Sequence, residues 1–250
     1  MPTIWTLVTA VMFALLGLSH AFLAPRNMVN QRLVRTGTTS LSASTSFKKD
    51  SYVSTGVVEK IGDGNERNSI ILPELSVEDL KVLLRGDRVQ KQERSGSRGE
   101  GIVVVDVNAS PDVVFSHLSR FDAYQSMIPT VRKVDVLSIT PRGTEAEFRL
   151  SKFRLKVNVL HTINAEDRTI KFRLNPNRVN PVFSEAAGFW HVEAPEDRPE
   201  GYSRVYLNAC IRVSRFVPPF ILDYASSKAL PRASTWIRPY FEESLVEWSI

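Results

Sequence analysis

From about residue 130 the apolar residues recur at every second position, and this period constrains the chain more than any other feature. Ala146, Phe148 and Leu150 alternate with charges. Leu155, Val157, Val159, His161 and Ile163 share one parity, as do Ile170, Phe172 and Leu174, and then Val205, Leu207, Ala209, Ile211 and Val213. Side chains two apart point to the same face of an extended chain, so each segment is a strand with one apolar face. Residues 133–138 and 187–194 complete a set of about six strands. Pro141-Arg-Gly143, Glu166-Asp-Arg168, the Asn/Pro-rich stretch 175–184 and residues 195–201 separate them as turns and loops. Connections this short join antiparallel neighbours, whereas a parallel pair needs a crossover of a dozen residues or more. The pattern therefore excludes a doubly wound sheet and predicts an antiparallel meander with one buried face.

The segments on either side follow a helical period. Ser76 and Asp79 have capping-box spacing, and the leucines at 75, 80, 83 and 84 with Gly86 beyond them predict a helix over 76–85. Residues 88–94 read as a strand, 95–101 as a glycine-rich turn, and 102–107 as a β-branched strand. Ser110-Pro111 supplies an N-cap followed by proline at the first helical position. Asn108-Ala-Ser110 also spells a glycosylation sequon, but the capping role suits a strand-to-helix turn better. Val113, Val114, Leu118 and Phe121 continue this helix, and a second short one spans 124–128 before Pro129. Beyond the last strand, Pro218-Pro219 opens a helical stretch in which Leu222, Ala225, Ala229, Ala233, Trp236 and Tyr240 step by three or four. Pro231 and Pro239 are expected to kink or break it. A sheet with one apolar face must be covered, and only this C-terminal helix is long enough. Sheet and helix together would enclose a cavity.

The chain carries 32 Lys+Arg and 27 Asp+Glu, a net charge of +5. All of that excess lies in residues 1–49, which hold Arg26, Arg32, Arg35, Lys48 and Lys49 and no acid. Within this leader, 4–18 is an apolar run too short to span a ~30 Å hydrocarbon core comfortably. Small residues at Ser19 and Ala21 complete a signal-peptide pattern with cleavage after Ala21, although the first residues lack Lys and Arg. The acid-free, Ser/Thr-rich stretch that follows has transit-peptide composition. The basic charge therefore concerns destination, and nucleic-acid binding is not expected. The junction Ala21-Phe22-Leu23-Ala24-Pro25 resembles the Phe-centred junction of plastid presequences in diatoms and related algae. That resemblance implies plastid delivery; secretion behind a disordered Ser/Thr linker is the alternative. The single cysteine, Cys210, excludes an internal disulfide framework and every Cys-based zinc motif.

The order of elements, and the segment Gly101-Ile-Val-Val-Val-Asp-Val-Asn-Ala-Ser-Pro-Asp-Val-Val-Phe115, resemble the START-like (SRPBCC) superfamily of polyketide cyclases/dehydrases, lipid binders and coenzyme-Q-binding proteins. Phe121-Asp-Ala-Tyr124, Met127-Ile-Pro129 and Gly188-Phe-Trp190 resemble later segments of the same group, the last its coenzyme-Q-binding and plant plastid members. The resemblance implies an α+β helix-grip fold, a curved antiparallel sheet of about seven strands wrapped around a long C-terminal helix. The expected organisation is a signal peptide (1–21), a transit-like segment (22–49), a linker (50–73), an N-terminal helix and strand extension (74–99) and a START-like domain (100–247).

These motifs specify fold better than chemistry. The expected function is binding or transport of an apolar small molecule: a lipid, an isoprenoid quinone or a pigment. Candidate ligand contacts are Tyr124, Met127, Phe148, Val159, His161, Phe172, Trp190, Leu222, Ala225, Ala229 and Trp236. His161 stands out as a polar group on an apolar face, as an acid/base or as a hydrogen-bond donor to a quinone-like carbonyl. The alternatives are a cyclase, dehydratase or isomerase using the same cavity, and a ligand-free assembly factor. No catalytic residue, metal or cofactor is assigned, and the oligomeric state stays open. Arg149, Arg154, Arg173, Arg204 and Arg212 are expected on outward faces, solvated or in transient contact with a membrane.

Overall fold

The computed structural model describes residues 70–129, 131–150, 155–180, 183–214 and 234–243. The leader and most of the C-terminal helical stretch lie outside them. The elements below belong to one compact unit. In chain order they are α1 (Val77–Leu84), β1 (Val89–Ser95), β2 (Arg98–Val107), α2 (Pro111–Ser119), a 3₁₀ turn (Phe121–Ala123), α3 (Tyr124–Met127), β3 (Val131–Thr140), β4 (Gly143–Leu150), β5 (Leu155–Asn164), β6 (Thr169–Leu174), β7 (Phe183–Glu193), β8 (Ser203–Val213) and α4 (Ile237–Glu243).

The strands form one eight-stranded antiparallel sheet in the order β1-β2-β8-β7-β6-β5-β4-β3. Strands β3 to β8 are the expected meander. The β1–β2 hairpin joins it through β8, which makes eight strands rather than seven. The expected turn over 95–101 is much shorter. Ser95 already pairs with Arg98, so only Gly96 and Ser97 make the turn, with Gly96 at φ +57°. A two-residue hairpin loop needs positive φ, which glycine adopts without strain. Arg98 to Gly101 are consequently strand residues.

Helix termini follow the local sequence. The Ser76 hydroxyl accepts from the Asp79 N–H, and the Asp79 carboxylate accepts from the Ser76 N–H. Gly86, just past the end, sits at φ +83°. Ser110 occupies the N-cap of α2 with Pro111 behind it, but its side chain makes no capping hydrogen bond. The position was legible and the bond was not.

Register places the alternating apolar residues on one inner face. Thr144, His161, Phe172, Gly188, Ala209 and Gly101 lie in one row across β4, β5, β6, β7, β8 and β2. Val114, Leu118, Phe121, Tyr124, Met127, Ile237 and Phe241 pack into the same core as this face. His117 ties α2 to α4 through a 3.0 Å contact with the Tyr240 hydroxyl. Gly188 is required by close approach. A Cβ there would run into the Asn208 carbonyl and sit 2.6 Å from Phe172 Cζ and 3.0 Å from Ala209 Cα.

The outer face departs from expectation. Arg204 has outward parity yet is only 5% exposed, and Asp106 beside it is 3% exposed. The Arg204 guanidinium donates to both Asp106 oxygens at 2.8 and 2.9 Å and reaches Asp197. Arg198 Nε donates to Asp106 at 2.9 Å, and its terminal nitrogens donate to the Leu83 and Leu84 carbonyls. Burial alone would lower the Arg204 pKa, but the hydrogen bonds it donates to Asp106 and Asp197 outweigh this and raise it. The network holds the end of α1 over this face, where Asp79 also pairs with Lys91. Next to it, Tyr206 donates to Glu193 at 2.7 Å, and His191 contacts the Thr169 hydroxyl at 3.0 Å. Of the other outward arginines, Arg173 is exposed as expected, while Arg149 is half-buried. Arg149 pairs with Asp135 and Glu147, and Arg212 with Glu185. Arg154 lies outside the described residues.

Replacing Asp106 with alanine removes the carboxylate shared by Arg198 and the almost wholly buried Arg204, which keeps Asp197 alone. The expected loss is about 3–5 kcal/mol in urea unfolding. A loss below about 1 kcal/mol would show that the network is incidental. Gly188→Ala is expected to cost about 1–3 kcal/mol by overpacking, measured the same way.

Candidate functional site

The inner face brings most of the expected site together. Phe148, Val159, His161, Phe172 and Trp190 project from β4 to β7, all buried or nearly so. Tyr124 and Met127 descend onto them from α3, and Trp236 from the segment leading into α4. Leu222, Ala225 and Ala229 lie outside the described residues.

Two aromatic groups divide the face. Trp190 meets Trp236 edge to face at 6.1 Å, and Trp236 meets Tyr240 at 6.2 Å. The second group surrounds His161. Phe121 stacks on the imidazole with ring centroids 4.0 Å apart, and Phe148 meets it edge-on at 5.7 Å. Tyr124 packs against both phenylalanines. Phe121 was not among the expected contacts; it marked helical spacing and opened the family-like segment Phe121-Asp-Ala-Tyr124. Its i, i+3 relation to Tyr124 on one short helical turn was the available signal.

The polar geometry is sparse. Tyr124 is committed, its hydroxyl donating to the Leu118 carbonyl at 2.7 Å, and burial pushes its pKa upward. His161 is 5% exposed and its Nδ1 has no hydrogen-bond partner. Burial pushes the imidazole pKa down to about 4, and a hydrogen bond to the backbone of Thr144, its cross-strand neighbour, offsets only part of this. The ring is therefore neutral at physiological pH. On strands β4 to β8, His161 is the sole ionisable side chain among the described inner-face residues. Gly143 adjoins it. This residue sits at φ +144°, and a Cβ there would strike the His161 carbonyl.

Glu145 and Glu147 share the opposite face of β4, bound to Asn175 and Arg178 and to Lys156 and Arg149 respectively. They are fixed in ion pairs on the outer surface, away from the inner cluster. Among the described residues no three His, Cys, Asp or Glu side chains gather in a way that could hold a metal ion. Among them, too, no helix is long and apolar enough to cross a membrane.

The family model for polyketide cyclase / dehydrase and lipid transport proteins matches residues 107–233, just over half of the chain. The chain belongs to this family. The match begins at the last residue of β2, so α1, β1 and most of β2 precede it. Family membership and the eight-stranded antiparallel sheet with its helices make this a START-like α+β fold. Solved structures with a similar fold include a START superfamily protein from Mycobacterium smegmatis, 14% identical, covering 63% of this chain and 98% of that one at a TM-score of 0.47. The Zhui aromatase/cyclase from a Streptomyces species is 12% identical, with 63% and 98% coverage and a TM-score of 0.45. A STAR-related lipid transfer protein from Xanthomonas axonopodis is 14% identical, with 61% and 98% coverage and a TM-score of 0.46. No curated protein matches the chain.

The neutral His161 has a measurable signature. Between its ordinary pKa and about 4, the unfolded chain binds a proton that the folded START-like domain does not. Stability contributed by the neutral ring is therefore complete above pH 6.5 and lost as pH falls toward 4. The expected difference is of the order of 3 kcal/mol between pH 7 and pH 4. It is read as the change in urea-unfolding free energy of the wild type minus that of His161→Phe, and equal pH slopes in the two would contradict it.

Proposed function

We propose that this chain binds and carries an apolar small molecule, such as a lipid, isoprenoid quinone or pigment, against the inner face of its sheet beneath the C-terminal segment. The observation that carries this reading is the chemistry of that face. Strands β4 to β8 present mainly aliphatic and aromatic side chains there, with the hydroxyls of Thr144 and Ser203 and one neutral imidazole whose Nδ1 is unmatched. Such a surface gains affinity from apolar area removed from water, at roughly 25 cal/mol per Å², and uses a few polar groups for orientation. The family description, which spans cyclases/dehydrases and lipid transport, supports the same class of ligand.

Acid–base catalysis fits the site less well. It needs a titratable partner within hydrogen-bond reach of the substrate in addition to His161. Tyr124, the one tyrosine of the cluster, is already bound to a backbone carbonyl. The composition of the leader supports delivery to a plastid, and transient contact with a membrane suits a carrier that loads from one.

The test is organic extraction of the purified full-length chain followed by mass spectrometry, with Trp190 and Trp236 fluorescence as a second readout. The expected result is one apolar class recovered in fixed ratio to protein, whose re-addition to stripped protein quenches the tryptophans. A chain that is consistently empty and unresponsive to added apolar probes would favour the ligand-free assembly role and overturn the proposal.

A further inference from the structure

Among the described strands β3 is a margin of the sheet, and its second half is apolar and open. Val136 is 39% exposed, Leu137 44% and Ile139 79%. Two irregularities in the pairing with β4 shape this margin. The first leaves Arg132 without a partner on β4, and the second leaves Leu137 without one. A bulged residue is re-aimed out of the ladder, so Leu137 is open to solvent along with its neighbour Val136. Ile139 pairs with Thr144, and Thr144 with His161. Ile139 is therefore the outermost member of the inner row, and the apolar margin is continuous with the face that carries His161 and Phe172.

An added strand is a poor occupant for this margin, because a ladder needs even spacing and β3 interrupts its own twice. A lipid surface asks for no register. The charges then select its chemistry. From Val131 to Gly143 the chain carries Arg132, Lys133 and Arg142 against Asp135 alone. Asp135 is held by Lys133 at 2.5 Å and by Arg149 at 3.2 Å. Arg132 and Arg142 are exposed and make no ion pair among the described residues. Glu145, just past the turn, is held by Asn175 and Arg178. Glu166 and Asp167 belong to the β5–β6 turn, two strands away from this margin. The strip is thus apolar in the middle and cationic at both ends. Apolar side chains of this kind enter the acyl boundary of a bilayer while cations stay with anionic headgroups. The outward arginines Arg149, Arg204 and Arg212, where membrane contact was expected from sequence, are instead held in ion pairs.

We propose that the β3 margin, Val136, Leu137 and Ile139 between Arg132 and Arg142, is the surface by which the chain contacts an anionic bilayer. This rests on the binding reading above and adds to it the place where an apolar cargo crosses from lipid to the inner face.

The test places an environment-sensitive dye, NBD, on Ile139→Cys in the full-length chain, with Cys210→Ser so that one thiol is labelled. Vesicles of phosphatidylcholine, with or without about 30% phosphatidylglycerol, are then titrated in. The dye is expected to brighten and shift to the blue, at about tenfold less lipid when the vesicles are anionic. Adding Arg132→Gln and Arg142→Gln is expected to raise the anionic lipid needed for half of the shift about tenfold and to leave the phosphatidylcholine curve unchanged. Adding Leu137→Ser instead is expected to raise the lipid needed about threefold with both kinds of vesicle. All these positions are exposed, so the variants are expected to fold. A dye that stays unmoved while the chain sediments with vesicles shows contact through the basic leader alone and overturns the proposal. A dye already blue in lipid-free chain shows the margin covered by a second copy or by another segment of the chain. Dilution separates those two, and either overturns the proposal. Curves that no variant displaces overturn it as well. An apolar ligand extracted from a chain that fails this test leaves the binding reading standing.

Discussion

The pairing of β2 with β8 holds the rest of the architecture together. Ten residue pairs, from Arg98↔Arg212 to Val107↔Ser203, join segments about a hundred positions apart in sequence. Every other joint in the sheet links neighbours along the chain and closes a short loop. This one must overcome the entropy of a long loop before it returns any energy, so such contacts form late and at a cost in rate. The ladder has two compensations. Its inner side places Val103, Val105 and Val107 against Leu207, Val205 and Ser203 at the edge of the core. Its outer side carries the Asp106–Arg204 ion pair, bidentate and nearly dry. Removing charges from water is expensive, so this pair adds geometric definition more than net stability. A one-residue slip between β2 and β8 would separate Asp106 from Arg204 and turn the valines outward.

That ladder also determines where the inner face ends. Beyond β8 the inner row continues with Ala209 and Gly101, which have little or no side chain, while the β4 to β6 side is filled by Phe148, His161 and Phe172. The face is deep in side chains at one end and shallow at the other. Phe172 leans over Gly188, so the glycine of the Gly188-Phe-Trp190 motif accommodates a ring from the adjacent strand. His161 stands at the crowded end and open backbone at the other.

Much of this was legible in the alternation. Parity alone put Phe148, Val159, His161 and Phe172 on one face, because register in a sheet with one buried side is set by the hydrophobic pattern. The capping box at Ser76 and the proline opening α2 were equally local and equally readable. The misses share a cause. Arg204 read as a solvated cation because outward parity usually means solvent, and nothing near it in sequence announces that α1 and Arg198 lie over it. Arg98 to Gly101 read as a turn because three glycines outweigh two extended residues in any local count, although two of them face Ile211 and Ala209 in the ladder. The neutrality of His161 was out of reach altogether, since it depends on burial beneath Phe121 and beside Phe148, which no local pattern announces.

Among the described strands the sheet has two margins, β1 and β3. Strand β3 interrupts its own regularity twice, between Val131 and Lys133 and between Val136 and Ser138. Strand β1 runs Gln-Lys-Gln-Glu-Arg along its rim. A second chain docking onto β3 would lose registry at each irregularity, and one docking onto β1 would have to desolvate a line of polar and charged groups. Ile139, which is 79% exposed, would otherwise make β3 adhesive. Among the described residues the sheet thus stops at eight strands through flaws in its own hem, and the chain avoids becoming a template for fibres.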